Sequence, residues 1–132
     1  MRLLYKNIAP AAELNGNGST KGGWVFEKMD YAALTLASED FMWKLPDFSG
    51  VTNSASIKYH GSVFPHEYVE IWGSYIDISP GKVDVYVECR QRLRKSNEWN
   101  VTATATFSFS LIDNKTRKIA RIPKEIINEI KG

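Results

Sequence analysis

The chain has 132 residues, 43% apolar and 24% charged, with a formal net charge of +2 and a sequence pI near 8.6. That is one domain's worth, residues 1–132, able to bury a core without disulfides or metals. The charge is too mild to point to nucleic acid, and Cys89, the only cysteine, excludes an internal disulfide and a cysteine-based zinc site. Neither a secretory leader nor a membrane span is recognisable, so the expected location is the cytoplasm, where the Asn-x-Ser/Thr triplets at Asn17, Asn100 and Asn114 carry no meaning.

Residues 3 to 9 read as a short first strand that Pro10 stops. Residues 15 to 23, NGNGSTKGG, hold four glycines. Glycine is costly in regular structure, so the cluster marks backbone that approaches a ligand or another strand closely. From Gly22 to about Glu39, Val25, Met29, Ala32 and Leu36 recur at helical spacing, joined by Phe26, Ala33 and Ala37. This is the wide apolar stripe of an amphipathic helix. FMWKLPDFSG, residues 41–50, reads as a loop punctuated by Pro46 and Gly50.

After Gly50 the period becomes two, with Val51, Asn53, Ala55, Ile57 and Tyr59 alternating with Thr52, Ser54, Ser56 and Lys58. A strand over residues 67–78 ends at the turn Ser79-Pro80-Gly81. In VDVYVECRQRL, Val83, Val85, Val87 and Cys89 share one face, which makes Cys89 a small core residue. Past a KSNEWN turn, Val101, Ala103, Ala105, Phe107, Phe109 and Leu111 alternate with Thr and Ser. Pro123 suits the first turn of a short carboxy-terminal helix carrying Ile126, Ile127 and Ile130. Short turns make antiparallel neighbours. The expected class is therefore α+β: a five-stranded antiparallel sheet wrapped around one central helix, with a short helix at the end.

A helix that begins at Gly22-Gly23 aims unpaired N–H groups, and the positive end of its dipole, into the space ahead of it. Such backbone makes an anion or oxyanion site; a glycine pair packed against a strand is the other reading. Asp30 lies among Met29, Ala32, Ala33 and Leu34. It is either a partly exposed edge residue or a general base or nucleophile in dry surroundings. Gly23 and Asp30 stand seven residues apart, about 10 Å of helix rise, whereas donor and base must converge within about 3 Å of the reacting atoms. One helix does not readily do both; two antiparallel helices in a symmetric dimer do. His60 and His66 are isolated and are expected at the surface or an interface.

Asn15, Asn17, Gly18, Gly22, Gly23 and Trp24, followed by Met29-Asp30, form a block that resembles the hotdog-fold acyl-CoA thioesterases. The likeness is to the bacterial broad-specificity type, related to the cytosolic long-chain acyl-CoA hydrolases of animals. LLYKNIAPAAELNGNG is similar to that family's first strand and loop, and TATATFSFSLID with TRKIARIP to its last strand and the segment after it. The resemblance implies the hotdog fold and homodimers, often gathered as trimers of dimers (homohexamers). It also implies hydrolysis of an acyl-CoA to free acid and coenzyme A at a site shared between two subunits. Asp30 would be nucleophile or general base and Asn15 a second catalytic polar residue. The Gly23 amide would hold the thioester oxygen, and the Thr52 hydroxyl would assist. Gly22 and Trp24 join the substrate-binding residues.

Coenzyme A brings phosphates, so Lys115, Arg117, Lys118 and Arg121 are expected to meet them; a solvated basic surface is the alternative. Coenzyme A enters as part of the substrate, and no cofactor, metal, nucleic-acid or membrane partner is implied. The chain departs from the family at Ser19, Lys21, Ser62, His66-Glu67 and a longer 43–50 loop, all around the substrate entrance. A non-catalytic acyl-CoA-binding module is the alternative function. A hotdog dehydratase is disfavoured, because no histidine precedes the helix.

Overall fold

The alternating apolar residues form strands and the three-to-four-spaced ones form a helix, in the order β1 (Arg2–Ile8), α1 (Gly22–Asp40), a 3-10 turn (Met42–Lys44), β2 (Phe48–Tyr59), β3 (Tyr68–Ser79), β4 (Lys82–Arg92), β5 (Trp99–Asp113), β6 (Ile119–Ala120) and α2 (Lys124–Lys131). The computed structural model describes residues Met1–Gly132. Five long strands pair antiparallel in the order β1-β3-β4-β5-β2, and the two-residue β6 joins β5 beyond the end of β4. No helix is long and apolar enough to cross a membrane.

The sheet curls around α1. From the helix, Val25, Met29, Ala32, Ala33, Leu36 and Ala37 are buried against Val69, Ile71, Val85, Val87, Phe107 and Phe109 of the strands. Each of the larger side chains withdraws apolar area worth about 1.5–3 kcal/mol, and the three alanines let the helix lie close to the sheet. Cys89 is fully buried in this core; burial pushes its thiol pKa up, so it is inert filler. Phe41 is also fully buried, edge-on to Tyr75 at 5.7 Å between ring centroids. The 3-10 turn at Met42–Lys44 corrects the reading of residues 41–50 as loop throughout. So does β2, which begins at Phe48 because Phe48 and Ser49 find partners in Asp113 and Ile112 on the long β5.

Four strand pairs carry a register shift, and those in β2 and β5 overturn the faces that alternation assigns. In β2 the register slips between Thr52 and Ser54, leaving Asn53 as the extra residue. Directly opposed residues share a face: Thr52 opposes buried Phe109, while Ala55 and Ile57 oppose Phe107 and Ala105. Thr52 therefore joins Ala55, Ile57 and Tyr59 on the helix side, and the expected grouping of Val51 and Asn53 with them does not hold. In β5, Cys89 opposes Ala103 but Arg90 opposes Val101. Thr102 is the extra residue there, buried and donating to the Cys89 carbonyl at 3.2 Å. Val101, expected in the core, is 42% exposed.

β1 and β2 are the sheet edges. Along β2, residues Val51 to Ser56 are exposed on both faces, which is unusual for a strand this long unless something covers it.

Candidate active site

Lys21 precedes α1 without a side-chain cap, and the first turn carries no acidic residue. The backbone N–H groups of Gly22 and Gly23 have no acceptor within the chain. Both glycines line a cavity of about 300 Å³ together with Asn15, Thr20, Tyr59 and Ser62. The glycine pair does both of the things open to it. A Cβ on Gly22 would stand 3.2 Å from the Tyr59 ring, and the Tyr59 hydroxyl donates to the Gly22 carbonyl at 2.8 Å, so Gly22 packs against β2. A Cβ on Gly23 would meet nothing within 4 Å, so Gly23 packs against no other element on that side.

The loop ahead of the helix is tied by its own side chains. Gly18, at φ 85°, turns the chain. Asn17 Oδ1 accepts from the Ser19 N–H at 3.1 Å and its hydroxyl at 2.7 Å. The Asn15 amide donates to Ser19 Oγ and to the Thr20 carbonyl, both at 3.3 Å. Asn15 thus borders the glycine cavity while its N–H₂ group holds the loop closed. Thr20 is buried, and its hydroxyl has no partner.

Asp30 sits two turns along α1, partly buried on the side that faces β2. The Thr52 hydroxyl donates to its Oδ1 at 3.3 Å, a contact the Asn53 bulge makes possible by turning Thr52 inward. From the next residue onward, Tyr31, Leu34, Thr35, Ser38, Glu39 and Trp43 line a groove of about 540 Å³ on the outer face of α1. Asp30 and Thr52 come together, then, and so do Asn15, Gly22 and Gly23, but neither set meets the other within the protomer.

Trp24 is in the core, 8% exposed, with Lys28 Nζ 6.0 Å from its ring centroid. Lys115, Arg117, Lys118 and Arg121 are exposed and belong to no ion pair. They follow the end of β5, where Asp113 opposes Phe48, the first residue of β2. The glycine cavity lies by Tyr59, the last residue of β2. The 12 residues of β2 span roughly 35 Å, so a protomer's four cations and its own glycine cavity occupy opposite ends of the sheet. No three His, Cys, Asp or Glu side chains are grouped to hold a metal ion.

No protein-family model matches the chain, and no curated relative matches it. Solved structures do. A hexameric hotdog-fold thioesterase of Campylobacter jejuni superposes with a TM-score of 0.86 at 18% identity, covering 100% of this chain and 98% of that one. The fold is the hotdog. A hexameric broad-specificity acyl-coenzyme A thioesterase gives 0.84 at 21% identity over 98% and 92% of the two chains, in a form with an aspartate replaced by alanine. A hexameric thioesterase from Yersinia pestis gives 0.80 at 19% identity over 93% and 96%. In hotdog terms α1 is the central helix and β1 to β5 are the strands wrapped around it.

Contributors to the glycine cavity that stand outside the motif residues are Ser19, the unpartnered Thr20, Val25, Tyr59 and the β2–β3 loop at Gly61 to Val63. Tyr59 ends a strand of alternating residues, which marks it as an edge position without marking its bond to Gly22. Nothing in the sequence brings residues 61–63 to the helix start; strand pairing does.

Proposed function

We propose that this protein hydrolyses acyl-CoA thioesters at a site built by two subunits. The observation that carries the reading is the separation within one protomer of donor and acid. Unpaired N–H groups belong to Gly22 and Gly23, which line a cavity, while Asp30 and Thr52 lie farther along, beside an exposed edge strand whose outer side has no partner. A two-fold axis beside β2 runs one α1 antiparallel to the other. It turns each protomer's glycine cavity toward the other's Asp30, and each Lys115–Arg121 segment toward the other's glycine cavity. The hexameric thioesterases among the structural neighbours, one of them a broad-specificity acyl-coenzyme A thioesterase, support both the activity and an assembly of subunits.

In this arrangement the thioester carbonyl oxygen points at the Gly23 N–H, where the helix dipole favours developing negative charge. Asp30 accepts the proton of an attacking water, or attacks the carbonyl carbon itself and is released by water. Either way the C–S bond breaks, the acyl group leaves as the acid, and coenzyme A leaves as the thiol. The Thr52 hydroxyl holds the Asp30 carboxylate in orientation. The groove past Asp30, from Leu34 to Trp43, takes the acyl chain, and the four exposed cations meet the phosphates of coenzyme A.

The test is release of free thiol from short, long and aromatic acyl-CoAs by the parent and by Asp30→Asn. The expected loss in kcat is roughly a hundredfold or more, with the melting temperature and coenzyme A binding kept. Equal turnover would remove Asp30 from the reaction. Saturable coenzyme A binding by the parent with no thiol released from any substrate would select the non-catalytic module instead.

A further inference from the structure

The inward row of β4, Val83, Val85, Val87 and Cys89, continues to a polar residue, Gln91, that is 2% exposed. A core that only needs filling takes an aliphatic side chain here, and a buried carboxamide is tolerated only when its bonds are made. Both are. Gln91 Oε1 accepts from the Phe64 N–H at 2.8 Å, and Nε2 donates to the Ser62 carbonyl at 3.2 Å. One side chain thus straps both ends of a three-residue segment in the loop between β2 and β3. Val63, between the two anchors, is buried, and its carbonyl accepts from the Thr20 N–H at 2.7 Å. Thr20 lies two residues ahead of Gly22, and Ser62 and Val63 line the same cavity as Gly22 and Gly23.

We propose that Gln91 is a positioning residue for the reaction described above. It fixes the 62–64 loop as one wall of the glycine cavity and, through Val63 and Thr20, sets that wall against the start of α1. The thioester carbonyl is thereby held in line with the Gly23 N–H. The proposal rests on the thioesterase reading.

Gln91→Glu is a chemical switch for this role. A protonated carboxyl has one O–H donor and one carbonyl acceptor and reproduces both bonds, whereas the carboxylate only accepts and opposes the Ser62 carbonyl without a proton. Burial raises the pKa of such a carboxyl into an accessible range. Gln91→Met keeps a similar volume and removes both bonds at every pH. The ionisable groups on the adjoining loop are His60, which bonds Thr104, His66, which is exposed, and Glu67, which pairs with Arg94. Arg90 and Arg92 alternate with Gln91 and lie on the opposite face, stacked on Trp72, Tyr68 and Trp99. All are present in the parent too, so the variant-to-parent ratio cancels their titration.

The experiment measures kcat and KM for one acyl-CoA in the parent and both variants between about pH 5 and 9, with a melting temperature at each pH. Gln91→Glu is expected within about twofold of the parent at the acid end, and to fall roughly ten- to a hundredfold in kcat as the carboxyl ionises. Gln91→Met is expected to be depressed by a similar factor at every pH, with KM moving much less than kcat, because the wall positions the carbonyl for the transition state. An active parent whose folded Gln91 variants keep parental kcat throughout overturns this role and leaves the thioesterase reading standing. Losses that appear only where the variants have melted also overturn it, reducing Gln91 to a structural residue. A parent inactive on every acyl-CoA overturns the thioesterase reading and this role with it.

Discussion

A Cβ added to Gly22 meets the Tyr59 ring at 3.2 Å, while one added to Gly23 meets nothing within 4 Å, so two adjacent alanine substitutions separate packing from chemistry. Gly22→Ala must push Tyr59 and strain its bond to the Gly22 carbonyl; a stability loss of about 1 kcal/mol is expected, read as a lower melting temperature. Gly23→Ala relieves the entropic cost of a helical glycine, so its melting temperature is expected to hold or rise. Its thioesterase rate is expected to fall, because the methyl enters the space ahead of the amide. The reverse pattern would contradict this assignment. Both glycines stood out in the sequence because the residue type is costly where it sits, and Asp30 because its neighbours are apolar. The partner of Asp30 was legible only through family resemblance, since the alternation put Thr52 on the wrong face. Gln91 continues an apolar row, and that polar break is a signal which periodicity alone reads as the end of a strand.

At the scale of elements, the period of two in β3, β4 and β5 and the longer period in α1 are local properties, and the elements fall where those periods place them. A bulge is a single extra residue that reverses every later side chain, and it depends on the partner strand. Nothing local in β2 or β5 announces it, hence the misplacing of Val51, Asn53 and Val101. The turn after β5 has a pH signature. Asp113 Oδ1 accepts from the Thr116 and Lys115 N–H groups at 3.0 and 2.8 Å, and these bonds, Thr116 first, hold its carboxyl below the usual carboxylate range. A depressed folded-state value contributes stability above the ordinary value near pH 4, and that contribution fades as pH falls through the folded value. Asp113→Asn keeps an acceptor but does not titrate. The parent's melting temperature is expected to drop slightly more between about pH 5 and 3 than the variant's; parallel curves would contradict the turn's role.

At the scale of the whole molecule, a hotdog protomer with β2 uncovered carries its glycine cavity and its four free cations at opposite ends of the sheet, with Asp30 between them. A two-fold axis beside β2 reverses one copy against the other and brings unlike ends together, so completeness of the site becomes a property of the pair. The most direct measurement mixes two inactive variants. Asp30→Asn lacks the acid. Gly23→Pro lacks the N–H, and the first helical turn tolerates proline. When the two are refolded together in equal amounts, half of the dimers are mixed, and each mixed dimer holds one intact site. Recovery of about a quarter of parental thiol release is expected for a shared site, whereas a mixture no more active than its components would contradict it.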